Sequence, residues 1–154
     1  MKRLALTCLC TAVLAAESAF VLPHRWQDAR HALTETIRTA PSRIVVVTDR
    51  ADDAYIRRAL RDALERGKRV TLITASESTA AQWAVYKSAE VCILPATEPL
   101  AFSLVAADTD ACSASLPLST EALRSRYGIV RCGDSKAFDE TIRLLKRECR
   151  AYFE

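Results

Sequence analysis

The sequence predicts a single α/β domain built on a mixed β-sheet. The chain has 154 residues, enough for one domain and too few for a multidomain enzyme. In the first half, short β-branched runs alternate with amphipathic stretches, which is the order of parallel strands joined by helices. In the second half, two apolar runs flank Asp108-Thr109-Asp110, which reads as a hairpin. From these patterns alone a wholly parallel, doubly wound sheet is the alternative.

The N-terminus does not belong to that pattern. Met1-Lys2-Arg3 is a basic start, and Leu4 to Ala16 is an almost unbroken apolar run of thirteen residues. A basic start, a short apolar run and small residues after it describe a secretory signal peptide, here residues 1–18. The run is too short to cross a membrane as a helix, which needs about 20 apolar residues. Ala15 and Ser18 are the two candidate cleavage positions. The expected product is an exported protein, periplasmic or secreted, with its domain at residues 20–154.

Along that domain, Trp26, Ala29, Leu33 and Ile37 form one helical face that ends before Pro41. Ile44-Val45-Val46-Val47-Thr48 is a buried strand, and Asp52 or Asp53 caps the next helix. Ile56, Leu60, Ala63 and Leu64 face inward from that helix, and Gly67 closes it. Val70 to Thr74 is the second strand, Ser78 to Lys87 a short helix, and Val91 to Leu94 the third strand, stopped by Pro95. Phe102 to Ala107 and Ala111 to Leu116 form the hairpin. Ser119 opens a helix, Tyr127 to Cys132 is a further strand, and a last helix runs from about Lys136 with Phe138, Ile142, Leu145 and Cys149 inward.

Composition excludes several functions. Three Gly leave no room for a Gly-rich phosphate loop, and a net charge of +3 is no strongly cationic nucleic-acid footprint. Removing residues 1–18 takes away Lys2, Arg3 and Glu17 and leaves +2. The chain has two His, His24 and His31, and no Asn; without a carboxylate or Cys partner the two His make a weak metal claim.

Four cysteines follow the leader: Cys92, Cys112, Cys132 and Cys149. Their spacing does not suit a zinc site; an oxidising compartment favours disulfides, and small buried hydrophobes are the equal alternative. Cys132 ends a strand near the start of the last helix, whereas Cys149 lies 13 residues beyond Lys136, about 20 Å along it. A helical crossover between the Cys112 and Cys132 strands would make them parallel and set those two cysteines at opposite ends. The expected pair is therefore Cys112 with Cys149, with Cys92–Cys132 as its complement.

The leader, a Leu-Pro before the first helix, the Ile-Val-Val-Val strand and the segment from Ile56 to Ile73 together resemble the phospholipase D superfamily. The best segment is Ala59 to Ile73, a helix ending in Arg66-Gly67 and followed by a strand. The resemblance is to the small, exported, single-domain nuclease-like members and covers roughly residues 20 to 154. It implies a mixed β-sheet with helices on both faces, and a homodimer that brings two motifs together. It implies no cofactor.

The family's chemistry rests on a His-x-Lys-x4-Asp motif followed by Gly-Ser and Asn. The His attacks phosphorus, and the Lys and Asn hold phosphoryl oxygens. Laid on Ala101 to Asp108, the motif places Ala101 at the His position and Ser103 at the Lys position, and only Asp108 matches. Ala114-Ser115 takes the Gly-Ser place and Pro117 stands where Asn belongs. The expectation is a phospholipase D-like protein without catalytic residues, acting as a binding or structural module. The competing expectation is an active phosphodiesterase or endonuclease. Asp108 is expected to serve a turn, accepting backbone N–H bonds.

Other candidates are weaker. Ser103, Ser113 and Ser115 are nucleophiles by type only, with neither a G-x-S-x-G motif nor a positioned His. Asp49, Asp52 and Asp53 follow the first strand at its carboxyl end and could hold a cation, but an N-cap and two solvated carboxylates explain them more simply. Arg143, Lys146, Arg147 and Arg150 on the last helix, and the basic residues from Arg57 to Arg69, could meet an anionic lipid headgroup or nucleic acid. Interleaved Asp62, Glu65, Glu140 and Glu148 make both stretches read as mixed-charge solvated faces.

Overall fold

The structure, a computed structural model, describes residues 17–153. Its centre is an eight-stranded sheet in the order β1-β7-β6-β5-β2-β3-β4-β8. The strands are β1 (Ser18–Leu22), β2 (Arg43–Val47), β3 (Arg69–Thr74), β4 (Ala89–Ile93), β5 (Ser103–Ala106), β6 (Asp110–Ala114), β7 (Gly128–Asp134) and β8 (Arg150–Ala151). The helices are α1 (Trp26–Thr39), α2 (Ala54–Glu65), α3 (Glu77–Ala84), α4 (Thr120–Ser125) and α5 (Asp139–Glu148). Only β2, β3 and β4 run parallel; every other pairing is antiparallel. The sheet is mixed, as the hairpin in the second half required.

Strand alternation in β2 divides the core. Ile44 and Val46 pack with Leu33 and Ile37 of α1 and with Ile56 and Leu60 of α2. Val45 and Val47 point the other way, toward Phe138, Ile142 and Leu145 near and on α5. Helices therefore cover both faces, but unequally. α1 and α2 bury continuous apolar stripes, while every α5 side chain keeps some exposure. Local signals set the helix ends. Asp53 caps α2 by accepting from Tyr55 N and Ile56 N, Ser76 caps α3 and Ser119 caps α4. Gly67 ends the α2 segment at φ +76°, a backbone conformation that favours glycine. Among the described residues no helix is long and apolar enough to cross a membrane.

Two elements were not legible in the sequence, β1 and β8, one at each edge of the sheet. The leader expected over residues 1–18 lies outside the described residues except for Glu17 and Ser18. The sheet begins two residues before the expected domain start, because Ser18 and Ala19 pair with Cys132 and Arg131 of β7.

The cysteine pairing is a correction. The disulfides are Cys92–Cys149, with Cα atoms 5.6 Å apart, and Cys112–Cys132, with Cα atoms 4.0 Å apart. The expected Cys112–Cys149 bond and its complement Cys92–Cys132 do not form. The reason is strand direction: β6 and β7 are antiparallel, with Cys112 directly opposite Cys132. The helix between them has six residues and spans about 9 Å, too short to return along a strand of about 17 Å. It stays at one end of the sheet, so β7 simply runs back beside β6. Cys149 does reach the end opposite Cys132, as expected, and meets β4 there.

Candidate functional site

The site suggested by the motif lies where β2 and β3 end and β5 begins. Thr48 and Ser103, both buried, meet there with their hydroxyl oxygens 2.9 Å apart. The Thr48 hydroxyl donates to the Arg50 carbonyl at 2.8 Å, so Ser103 is left to donate to Thr48. Ser103 is 1% exposed, and both of its neighbours in this network are protein atoms. Ala101, two residues earlier, is exposed and carries only a methyl group.

The three aspartates after β2 are all engaged. Asp49 accepts from Ala75 N at 2.8 Å, Leu100 N at 2.6 Å and the Thr74 hydroxyl at 3.3 Å. It thereby ties the end of β3 to the loop that leads into β5. Asp52 pairs with Arg50 at 2.7 Å, and Arg50 also approaches Glu121 of α4. Asp53, fully buried, caps α2 and accepts from the Thr120 hydroxyl at 2.9 Å, which docks the start of α4. No group of three metal-ligating side chains forms among the described residues.

Asp108 lies at the other end of the sheet. Ser103 and Asp108 are separated by β5 and Ala107, about 17 Å for five residue steps in extended chain. The Asp108 carboxylate accepts from Ser42 N at 2.9 Å, the Ser42 hydroxyl at 2.9 Å and Arg43 N at 3.1 Å. These bonds, the one from Ser42 N foremost, hold its carboxyl below the usual carboxylate range. The carboxylate was expected to bond within its own turn. It does accept backbone N–H groups, but from the entry to β2 rather than from its own hairpin.

The remaining candidates do not converge. Ser113 faces the α5 side of the sheet opposite Arg131, whereas Ser103 faces the α1 and α2 side. Ser115 accepts from Ile129 N and closes the β6–β7 ladder. His24 and His31 are both exposed, and His24 stands edge-on to Tyr127. On α5, Arg143 is paired with Glu140, consistent with a mixed-charge face. Thr48 was missed by the sequence reading, because its role depends on β5 lying beside β2.

No known family's sequence model matches this chain, and no curated protein matches it in sequence. Solved structures do match. NucT from Helicobacter pylori is 20% identical, with a TM-score of 0.76 over 89% of this chain and 99% of that one. Nuc from Salmonella typhimurium, a phospholipase D family member, is 14% identical, with a TM-score of 0.73 over 90% of this chain and 99% of that one. TrmBL2, an archaeal chromatin protein, matches at 12% identity and a TM-score of 0.61, over 94% of this chain and 56% of that one. At such identities the likeness is one of architecture: the fold of this chain is that of the phospholipase D family.

Proposed function

We propose that this protein is an exported, non-catalytic member of the phospholipase D architecture that acts as a binding or structural module. One observation carries the reading: the position expected to hold a phosphate-binding Lys is Ser103, sealed against Thr48, beside an alanine at the nucleophile position. An alanine cannot attack phosphorus, and a hydroxyl shut into the core cannot stabilise a phosphoryl oxygen. Two disulfides fit an oxidising compartment, which supports the expected leader and a periplasmic or secreted location.

The test is hydrolysis of a phosphodiester ester and of DNA by the purified mature protein. The expected result is no turnover above buffer. Metal-independent turnover that co-elutes with the folded chain would establish the second reading, an active phosphodiesterase or endonuclease, which the likeness to NucT and Nuc favours.

A homodimer is part of the proposal. The exposed cross-strand pair Val21 and Ile129 beside the β1 edge supports it, since exposed apolar pairs at a sheet edge favour association. Light scattering on the mature protein decides between one chain and two. An anionic ligand, a lipid headgroup or nucleic acid, would meet Lys146 and Arg147, which have no carboxylate partner among the described residues.

A further inference from the structure

A separate feature is built on α1, α2 and α4. Trp26 opens α1, and Arg30 follows one turn later. The Arg30 guanidinium carbon lies 4.7 Å from the Trp26 ring centre and 3.9 Å from that of Tyr55 on α2. Arg124 of α4 brings a second guanidinium to within 5.3 Å of the Trp26 ring centre. Three helices thus contribute to one arginine–aromatic cluster, with Tyr55 itself 53% exposed. Among the described residues neither Arg30 nor Arg124 has a carboxylate partner, whereas Arg25, Arg38 and Arg126 each have one and Arg50 has two.

Stacking on a ring fixes the plane of a guanidinium and leaves its N–H edge open. Such an edge fits a planar carboxylate with two parallel hydrogen bonds. Tryptophan, tyrosine and arginine are also the residues that dominate protein–protein hot spots. A single-stranded nucleic acid would need open ring faces for its bases. Here the Trp26 ring already carries two guanidiniums and the Tyr55 ring one. We propose that the Trp26–Arg30–Tyr55–Arg124 cluster is a docking site for an acidic segment of a protein partner, with Arg30 and Arg124 each gripping a carboxylate. The inference does not depend on whether the chain has phosphodiesterase activity.

A short fluorescein-labelled peptide of alternating Glu and Gly, titrated with the full mature chain, tests it by anisotropy and by intrinsic fluorescence. Saturable binding is expected, with a change in emission from Trp26. The only other tryptophan, Trp83, is 2% exposed and contributes a constant background. The double variant R30K/R124K keeps both charges but loses the planar forks, and should bind about tenfold more weakly. R147K on α5 should bind as the parent does. Absent or non-saturable binding overturns the proposal, as does equal affinity of the double variant. Tighter binding of a single-stranded oligonucleotide of equal charge also overturns it. If the double variant fails to fold, the unsubstituted chain decides: peptide binding without a change in Trp26 emission places the contact elsewhere.

Discussion

Asp108 and Ser42 are joined by two hydrogen bonds across 66 residues of sequence, from the Ser42 amide and from its hydroxyl, each 2.9 Å long. The bonds fasten the β5–β6 hairpin to the entry of β2. Asp108→Asn should lower stability by about 1 kcal/mol, because a neutral amide is the weaker acceptor for backbone N–H groups. The folded-state carboxyl is held below its ordinary value, so its contribution is complete above about pH 4 and fades as pH falls through the lower folded-state value. Urea melts from neutral to acid pH should show the parent losing this increment and the variant lacking it throughout.

The sealed hydroxyl pair gives a second expectation. Ser103→Ala removes one donor but leaves Thr48 bonded to the Arg50 carbonyl, and should cost about 1 kcal/mol. Ser103→Lys forces an ammonium into a site that is 1% exposed and should cost about 3 kcal/mol or more. Thermal denaturation of the two variants measures the contrast. A Lys at 103 that left the melting temperature unchanged would show that the pocket can open, and would remove the sealed hydroxyl pair as support for the non-catalytic reading.

The two disulfides should differ in weight. They close loops with sequence separations of 57 and 20, for which chain entropy gives about 4 and about 3 kcal/mol respectively. Cys92→Ser/Cys149→Ser should also loosen α5, in which only Ile142 and Leu145 are even partly buried, and expose it to proteolysis. Cys112→Ser/Cys132→Ser should lower global stability while α5 stays protected. Non-reducing peptide maps and limited proteolysis read both outcomes.

Gly128 opens β7 under Leu116. A Cβ built there would lie 2.7 Å from Leu116 Cδ2 and 2.9 Å from Ser115 Oγ. Leu116 is buried and Ser115 is bonded to Ile129 N, so neither yields freely. Gly128→Ala should therefore destabilise the fold by about 1–2 kcal/mol, as overpacking does. Gly133→Ala, whose Cβ would meet only the Glu17 side chain at 3.3 Å in the full chain and nothing once residues 1–18 are removed, should cost less. Chemical denaturation of the pair tests the ranking.

What could be read without coordinates was whatever short-range chemistry encodes. The β-branched run from Ile44 to Val47 could only be a strand with both faces covered, and Ser119 and Gly67 marked a helix start and a helix end. β1 was hidden because Ser18 to Leu22 follows a secretion-like leader and becomes a strand only through its pairing with β7. β8 is two residues long and exists only because β4 lies beside it.

The sequence by itself determined the α/β class, the hairpin around Asp108, the Ser119 start of α4 and the Gly67 end of α2, since each depends on residues near one another in the chain. Only the tertiary structure decided which cysteines pair, what Ser103 bonds and where Asp108 finds its donors. The Cys112 and Cys132 strands lie antiparallel because a six-residue helix cannot run back along the sheet, and no local pattern records the direction of a neighbouring strand. The same holds for Trp26, Arg30, Tyr55 and Arg124: three helices supply them, and only packing against one sheet brings their rings and guanidiniums together.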